Sequence, residues 1–207
     1  MIKELMVQGV FAENTYFYID PISKAGFLID PGAQAGVIYD VIVRNGWSIE
    51  KILLTHGHFD HFGAAELLRE KLVAPIYIYP DDSRYLIDPH YNLSANFGNP
   101  TTVPHYEELH DGEIIRLKAN NTFRLRVIHT PGHTPGSVTY YSEAEKAAFV
   151  GDLLYQHGPG LTHFPGGNRS VLEKSIINKI LTLPDAPLLL SGHSSPITVA
   201  DERRLLL

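Results

Sequence analysis

The chain contains no cysteine among its 207 residues, which excludes disulfides and any thiolate ligand to a metal. No apolar run approaches the roughly 20 residues that a membrane-spanning helix requires. Nor is there a cluster of basic residues: 17 Lys and Arg stand against 23 Asp and Glu, a formal charge of −6. That balance argues against nucleic acid or an anionic membrane surface as partner and leaves a small molecule as the expected one. The first residues, Met1 to Leu5, lack the basic segment and apolar core of a secretory signal, so a cytoplasmic location is expected. No Pro/Gly/Ser-rich linker or shift in composition divides the chain, and a single domain over residues 1–207 is expected.

Histidine and aspartate are present where they matter. Thr55-His56-Gly57-His58-Phe59-Asp60-His61 follows the apolar run Ile52-Leu53-Leu54 and packs three imidazoles and a carboxylate into six positions. Downstream stand His133 in Gly132-His133-Thr134-Pro135-Gly136, Asp152 in Gly151-Asp152, and His193 in Gly192-His193. Imidazole with carboxylate oxygen is the donor set that zinc and similar ions accept, and seven such groups are enough for two ions. Gly57 lets the backbone turn so that His56 and His58 approach one ion, while Asp60 and His61 face another direction.

The periodicities place these groups just past strand ends. Alternation predicts strands over Phe11 to Ile19 and Gly26 to Ile29, with Asp30-Pro31-Gly32 as a breaker. A helix is predicted over Ala35 to Arg44, a strand over Lys51 to Leu54, a helix over Phe62 to Val73 and a short strand over Ile76 to Tyr79. The stretch from Pro80 to Asp111 reads as a long loop. Strands follow near Glu113 to Leu117, Phe123 to His129, Ser137 to Tyr141, Ala147 to Val150 and Pro187 to Leu190, with a helix near Ser170 to Leu181 that Asn168 could cap. Of the other histidines, His90, His105 and His110 read as loop residues, His129 as support for the turn holding His133, and His157 and His163 as pocket-rim candidates. The terminal Leu205-Leu206-Leu207 reads as a helix-packing segment.

Taken together, Thr55 to His61, Gly132 to Ser137, Gly151-Asp152 and Gly192-His193 resemble the metallo-β-lactamase fold superfamily, and most of all its short relatives of glyoxalase II, which hydrolyse S-2-hydroxyacylglutathione thioesters. The resemblance spans residues 55 to 193. It implies an α/β, four-layer αββα sandwich with the metal site at one rim, and no C-terminal helical glutathione-binding domain. It further implies two divalent metals, zinc first and iron or manganese as alternatives. His56, His58 and His133 would hold one ion, Asp60, His61 and His193 the other, and Asp152 would bridge them. Two ions about 4 Å apart share a hydroxide that attacks the carbonyl. Asp60 and Asp152 are the expected catalytic carboxylates, Asp60 orienting the attacking oxygen. A thiol of pKa about 8.5 leaves without a strong general acid, so a thioester suits such a site better than an amide.

Three implications concern the substrate. The loop from residue 80 to 111 is expected to form a pocket wall, with Tyr91, Asn92 and Phe97 as contacts. The positions at which two-domain glyoxalase II proteins grip glutathione are occupied here by Leu161, His163 and Ser194, leaving His163 at the rim and Arg169 as the replacement anionic contact. Other readings of the same pattern are an iron-dependent persulfide dioxygenase and a hydrolase of lactones or other esters.

Overall fold

Strands buried on both faces organise the molecule, for which the computed structural model describes residues 1–156, 158–184 and 187–206. One six-stranded sheet runs in the order β1 (Ile2–Gln8), β2 (Ala12–Ile19), β3 (Ala25–Ile29), β4 (Ser48–Leu53), β5 (Ile76–Ile78) and β6 (Glu107–Glu108). Its first three strands are antiparallel and the remainder parallel. The other six-stranded sheet contains β7 (Ile114–Arg116), β8 (Arg124–His129), β9 (Val138–Ser142), β10 (Ala147–Gly151), β13 (Leu188–Ser191) and β14 (Ile197–Thr198). A small hairpin, β11 (Leu154–Tyr155) and β12 (Gly158–Pro159), stands between β10 and β13 in the chain.

Because successive side chains of a strand point to opposite faces, each central strand feeds two cores. Tyr16, Tyr18, Phe27 and Ile29 meet Val127, Val138, Tyr140 and Phe149 between the sheets. Phe17, Ile19 and Leu28 point the other way, onto helices α1 (Ala35–Asn45) and α3 (Ala65–Leu72), through Ile38, Ile42 and Leu68. On the far side Ala148 and Val150 pack against α5 (Arg169–Ser175) and the π-helical turn that continues it through Ile180, using Leu172, Ile176 and Ile180. The result is the expected αββα order of layers. Among the described residues no helix is long and apolar enough to cross a membrane.

Several elements differ from the sequence reading. β1 was not expected: it is an edge strand, largely exposed, so it carries little of the alternation that marks a half-buried strand. The helix expected over Phe62 to Val73 starts earlier, as the single turn α2 (Phe59–Phe62), and restarts as α3. Between them Gly63 lies against the Gly32 carbonyl, too close for a side chain, and Ala64 N–H donates to Pro31 O at 2.9 Å. The segment from residue 80 to 111 is no plain loop. It holds 3₁₀ turns at Pro80–Asp82 and Ser94–Phe97, helix α4 (Ser83–Ile87) and β6. These pieces are too short for a periodic pattern. Asn168 does cap α5, accepting from Val171 N–H at 3.2 Å. The chain closes with α6 (Val199–Leu206), which carries the first two leucines of the terminal run; Leu207 and His157 lie outside the described residues.

Candidate metal centre

Four turns deliver the seven groups to one rim. His56 and His58 follow β4, and Asp60 and His61 ride on α2 immediately after it. His133 sits in the turn from β8 to β9, Asp152 follows β10, and His193 follows β13. β10 and β13 are parallel and β8 runs the same way, so their C-terminal ends share an edge. The sheets meet there through Val138 N–H to Thr55 O at 2.8 Å and Asn14 N–H to Gly192 O at 2.8 Å.

Two glycines are required by closeness. A side chain at Gly192 would enter the His61 ring and come within 2.8 Å of Asp152 Oδ1. At Gly151, which has φ +52°, a side chain would collide with Thr55. Gly57 serves differently from expectation: its φ is not positive, and it is small because Tyr85 packs directly on it.

Among the described residues the donors form overlapping groups, which include His56 with His61 and Asp152, and His61 with Glu13 and Asp30. Nitrogen atoms of His56, His58 and His133 lie within 4.8 Å of one another, as do donor atoms of Asp60, His61 and His193. Asp152 stands between them, Oδ1 at 3.2 Å from His61 Nε2 and Oδ2 at 3.6 Å from both His133 Nε2 and His193 Nε2. The structure therefore brings all seven side chains together at one rim.

The outer contacts decide what the inner nitrogens can do. His133 Nδ1 faces Leu161 O at 2.7 Å and His193 Nδ1 faces Ala12 O at 2.7 Å, and a carbonyl can only accept. His61 Nδ1 faces Asp30 Oδ2 at 3.0 Å. Thr55 Oγ1, which donates to Asp30 Oδ2 at 2.6 Å, takes the Nδ1–H of His56 at 3.1 Å. These partners turn Nδ1 outward and Nε2 inward in His56, His61, His133 and His193, whereas His58 turns its Nδ1 toward His133 Nε2 at 2.9 Å. His61 Nε2 and His193 Nε2 face each other at 3.2 Å. His56 Nε2 and Asp152 Oδ1 are buried without any hydrogen-bond partner. Converging imidazole nitrogens and an unpaired buried carboxylate oxygen are what a bound cation satisfies, so the donor set fits divalent metal.

The electrostatics divide the donors: burial opposes the charged form of every ring, but Asp152 and Asp30 raise His61 well above the usual histidine range, and Asp60 and Asp152 raise His193. Burial, then the neighbouring imidazoles, hold His56 well below the usual histidine range, and burial with His133 pushes His58 down to about 3. Burial also lowers His133. These rings are neutral and available as ligands near pH 7. At Asp152 the penalty of burial is outweighed by His61, His193 and His133, which hold the carboxyl well below its ordinary value.

Several residues at the site escaped the sequence reading. Asp30, read only as a strand breaker, accepts from Thr55 N–H at 2.7 Å as well as from Thr55 Oγ1 and His61. Its only signal was an acid directly after an apolar strand, where the structure gives it φ +48°. Asp82 gave no signal at all. It is buried and joins two ligand turns, accepting from Gly57 N–H at 2.8 Å, Gly136 N–H at 2.7 Å and Thr134 Oγ1 at 2.6 Å. Tyr155 donates its hydroxyl to Asp152 Oδ2 at 2.8 Å. Phe164 lies edge-on to His58, with ring centroids 5.3 Å apart.

The expected substrate contacts scatter. Asn92 is buried, and its side chain is used on Tyr85 O, Thr101 O and Ser94 N–H. Tyr91 lies under the Arg84 guanidinium, 3.6 Å from its ring centroid. Arg169 pairs with Glu173 at 2.7 Å on the exposed face of α5. His163 lies tilted against Phe164, ring centroids 4.1 Å apart, close to the site, and Phe97 joins an aromatic cluster around Phe59.

Comparison with known proteins agrees with this geometry. Residues 9–193 match the family model of the metallo-beta-lactamase superfamily. The hydroxyacylglutathione hydrolase GloC of Haemophilus influenzae is 33% identical over 97% of this chain and 94% of its own. Among solved structures, the BLEG-1 B3 metallo-beta-lactamase superposes with a TM-score of 0.91 at 36% identity, covering 99% of this chain and 97% of that one. TTHA1623 in a di-iron-bound form superposes with a TM-score of 0.85 at 31% identity, covering 98% of each. Fold, donor clusters and likeness along nearly the whole length lead to one conclusion: the chain belongs to the metallo-β-lactamase superfamily of metal-dependent hydrolases.

Proposed function

We propose that the protein hydrolyses a small thioester, of the S-2-hydroxyacylglutathione kind, at a pair of divalent metals held by His56, His58 and His133, by Asp60, His61 and His193, and by Asp152 between them. The observation that carries the reading is the convergence of imidazole nitrogens, Nδ1 of His58 and Nε2 of the others, with Asp152 Oδ1 in a buried centre that opens to solvent on one side. The side chains of His56, His58, His61 and His133 are buried, whereas Asp60 and His193 are 14% and 22% exposed. When bound, such metals lower the pKa of water from about 16 toward neutrality and polarise a carbonyl.

The protein supplies the rest. Asp60 Oδ2, 3.3 Å from His193 Nε2 at the open side, orients the attacking water and accepts its proton. The water oxygen forms the new C–O bond, the C–S bond breaks, and sulfur leaves with the electron pair as a thiolate. With a thiol pKa of about 8.5, that departure needs no strong general acid. Likeness to GloC supports the thioester, and zinc is the proposed metal, with iron or manganese as other occupants of the same nitrogen and oxygen set. We take the protein to act as a single domain, in the cytoplasm, on a small molecule.

Likeness to a B3 metallo-beta-lactamase favours amide cleavage of a β-lactam as second reading. The test is turnover of S-D-lactoylglutathione by protein of measured metal content, beside a chromogenic cephalosporin, with Asp152→Ala as control. Thioester turnover that disappears together with bound metal in the variant supports the proposal. Cephalosporin turnover alone, or oxygen uptake with glutathione persulfide by iron-loaded protein, would replace it.

A further inference from the structure

A wall of three aromatic rings adjoins residues that hold or neighbour the ligands Asp60 and His193, and none of the metal-binding chemistry uses it. Phe11 sits at the tip of the β1–β2 hairpin, directly before Ala12, whose carbonyl is held by His193 Nδ1 at 2.7 Å. Phe59 lies between His58 and Asp60 in the ligand turn. Phe97 comes from the segment between α4 and β6. The three rings meet edge to face or tilted, with centroids 5.3 Å apart for Phe11 and Phe97, 5.4 Å for Phe59 and Phe97, and 6.3 Å for Phe11 and Phe59.

Phe59 is buried beneath the other two, yet Phe11 and Phe97 each remain 45% exposed, and Val10 beside them is 50% exposed. Single exposed apolar residues are ordinary; a contiguous aromatic face next to metal ligands is not. The wall is also held in place. Asn92 O accepts from Phe59 N–H at 3.1 Å, and the Asn92 amide ties the same segment to Tyr85 O and Thr101 O. Asn92 is thus a positioning residue for Phe97 rather than a substrate contact. Phe59 directly precedes Asp60, and Phe11 directly precedes the residue that His193 holds, so the wall is tied to the two most exposed ligands.

We infer that Phe11, Phe97 and Val10, backed by Phe59, form a subsite for an apolar acyl group, so that the preferred substrates are thioesters of extended aliphatic or aromatic acids. This rests on the thioester reading above and refines its acyl side. Burying methylenes against the rings favours longer chains, and partial burial of four additional methylenes gives about tenfold or more in kcat/KM.

Two measurements on metal-loaded protein separate the wall from the reaction. The first compares kcat/KM for acetyl and hexanoyl thioesters of a single thiol. The second uses calorimetry with the matching 2-oxoalkyl thioethers, in which a methylene between sulfur and carbonyl prevents hydrolysis. The hexanoyl member is expected to lead by about tenfold in both, the lead to collapse in the Phe11→Ala, Phe97→Ala double variant, and to return in Phe11→Leu, Phe97→Leu. Since both rings are half exposed, truncating them does not open the core. Binding that keeps this pattern while no thioester is cleaved supports the subsite and removes the thioesterase reading. Turnover or binding without chain-length preference, or a preference that survives the double alanine variant, overturns the subsite. So does a wild-type dimer that the double variant dissociates, with no effect on chain-length preference, which would assign the wall to a second copy.

Discussion

At the scale of the residue, carboxylates that touch no metal hold the centre in shape. Asp30 accepts from both the backbone and hydroxyl of Thr55 and fixes the His61 ring. Asp30→Asn replaces one acceptor oxygen by an amide donor facing a donor, so metal affinity is expected to fall about 10- to 100-fold, read by competition with a chromophoric chelator. Asp60→Ala and Asp152→Ala are expected to lower metal stoichiometry and turnover together, checked by elemental analysis beside the thioester assay. Asp82 is pushed up to about 6, chiefly by burial, although Thr134, Gly136 and Gly57 donate to it. The folded state therefore binds its proton more tightly than the unfolded chain. That contribution is fully present below the unfolded pKa of about 4 and is lost as pH rises through about 6. Asp82→Asn removes the titration and mismatches a donor. It is expected to destabilise by roughly 1–3 kcal/mol, with the deficit larger at pH 4 than at pH 7.5 in denaturant titrations.

At the scale of the element, strand ends and glycines place the ligands, and local conformations that disobey propensity show where the fold overrules the sequence. Val73 ends α3 at φ +53° while 90% exposed, a left-handed conformation that a β-branched residue adopts at a cost. Val73→Gly is expected to raise stability by about 1 kcal/mol, visible as a higher melting temperature with unchanged turnover. The helix over Ala35 to Arg44 and the strands around each ligand turn were legible because they bury one face or both. Edge strand β1 and the short helical turns between Pro80 and Phe97 were not, since exposure or shortness removes the period. Helix α5 began where Asn168 announced it, but its π-helical continuation follows from packing against the second sheet and has no local signature.

At the scale of the whole molecule, the site is a seam. β4 brings His56 and His58 from one sheet, while β8, β10 and β13 bring His133, Asp152 and His193 from the other. An ion bound there ties both halves of the sandwich together and stabilises the folded state by mass action. Removal of metal with a chelator is expected to lower the melting temperature by about 5–10 °C, corresponding to roughly 2.7 kcal/mol at a hundredfold excess over Kd, and added zinc to restore it. The sequence by itself carried the seven candidate donors, because metal ligation demands particular side chains, and through the resemblance their motifs form it also carried the αββα order. Only the tertiary structure decided which nitrogen of each ring faces inward, that Asp30 and Asp82 brace the ligand turns, and that Phe11 and Phe97 meet over Phe59. Those depend on hydrogen bonds and ring contacts between residues far apart in sequence, 25 positions for Thr55 with Asp30 within one sheet and 180 for Asn14 with Ser194 between the sheets, and no local pattern records such a contact.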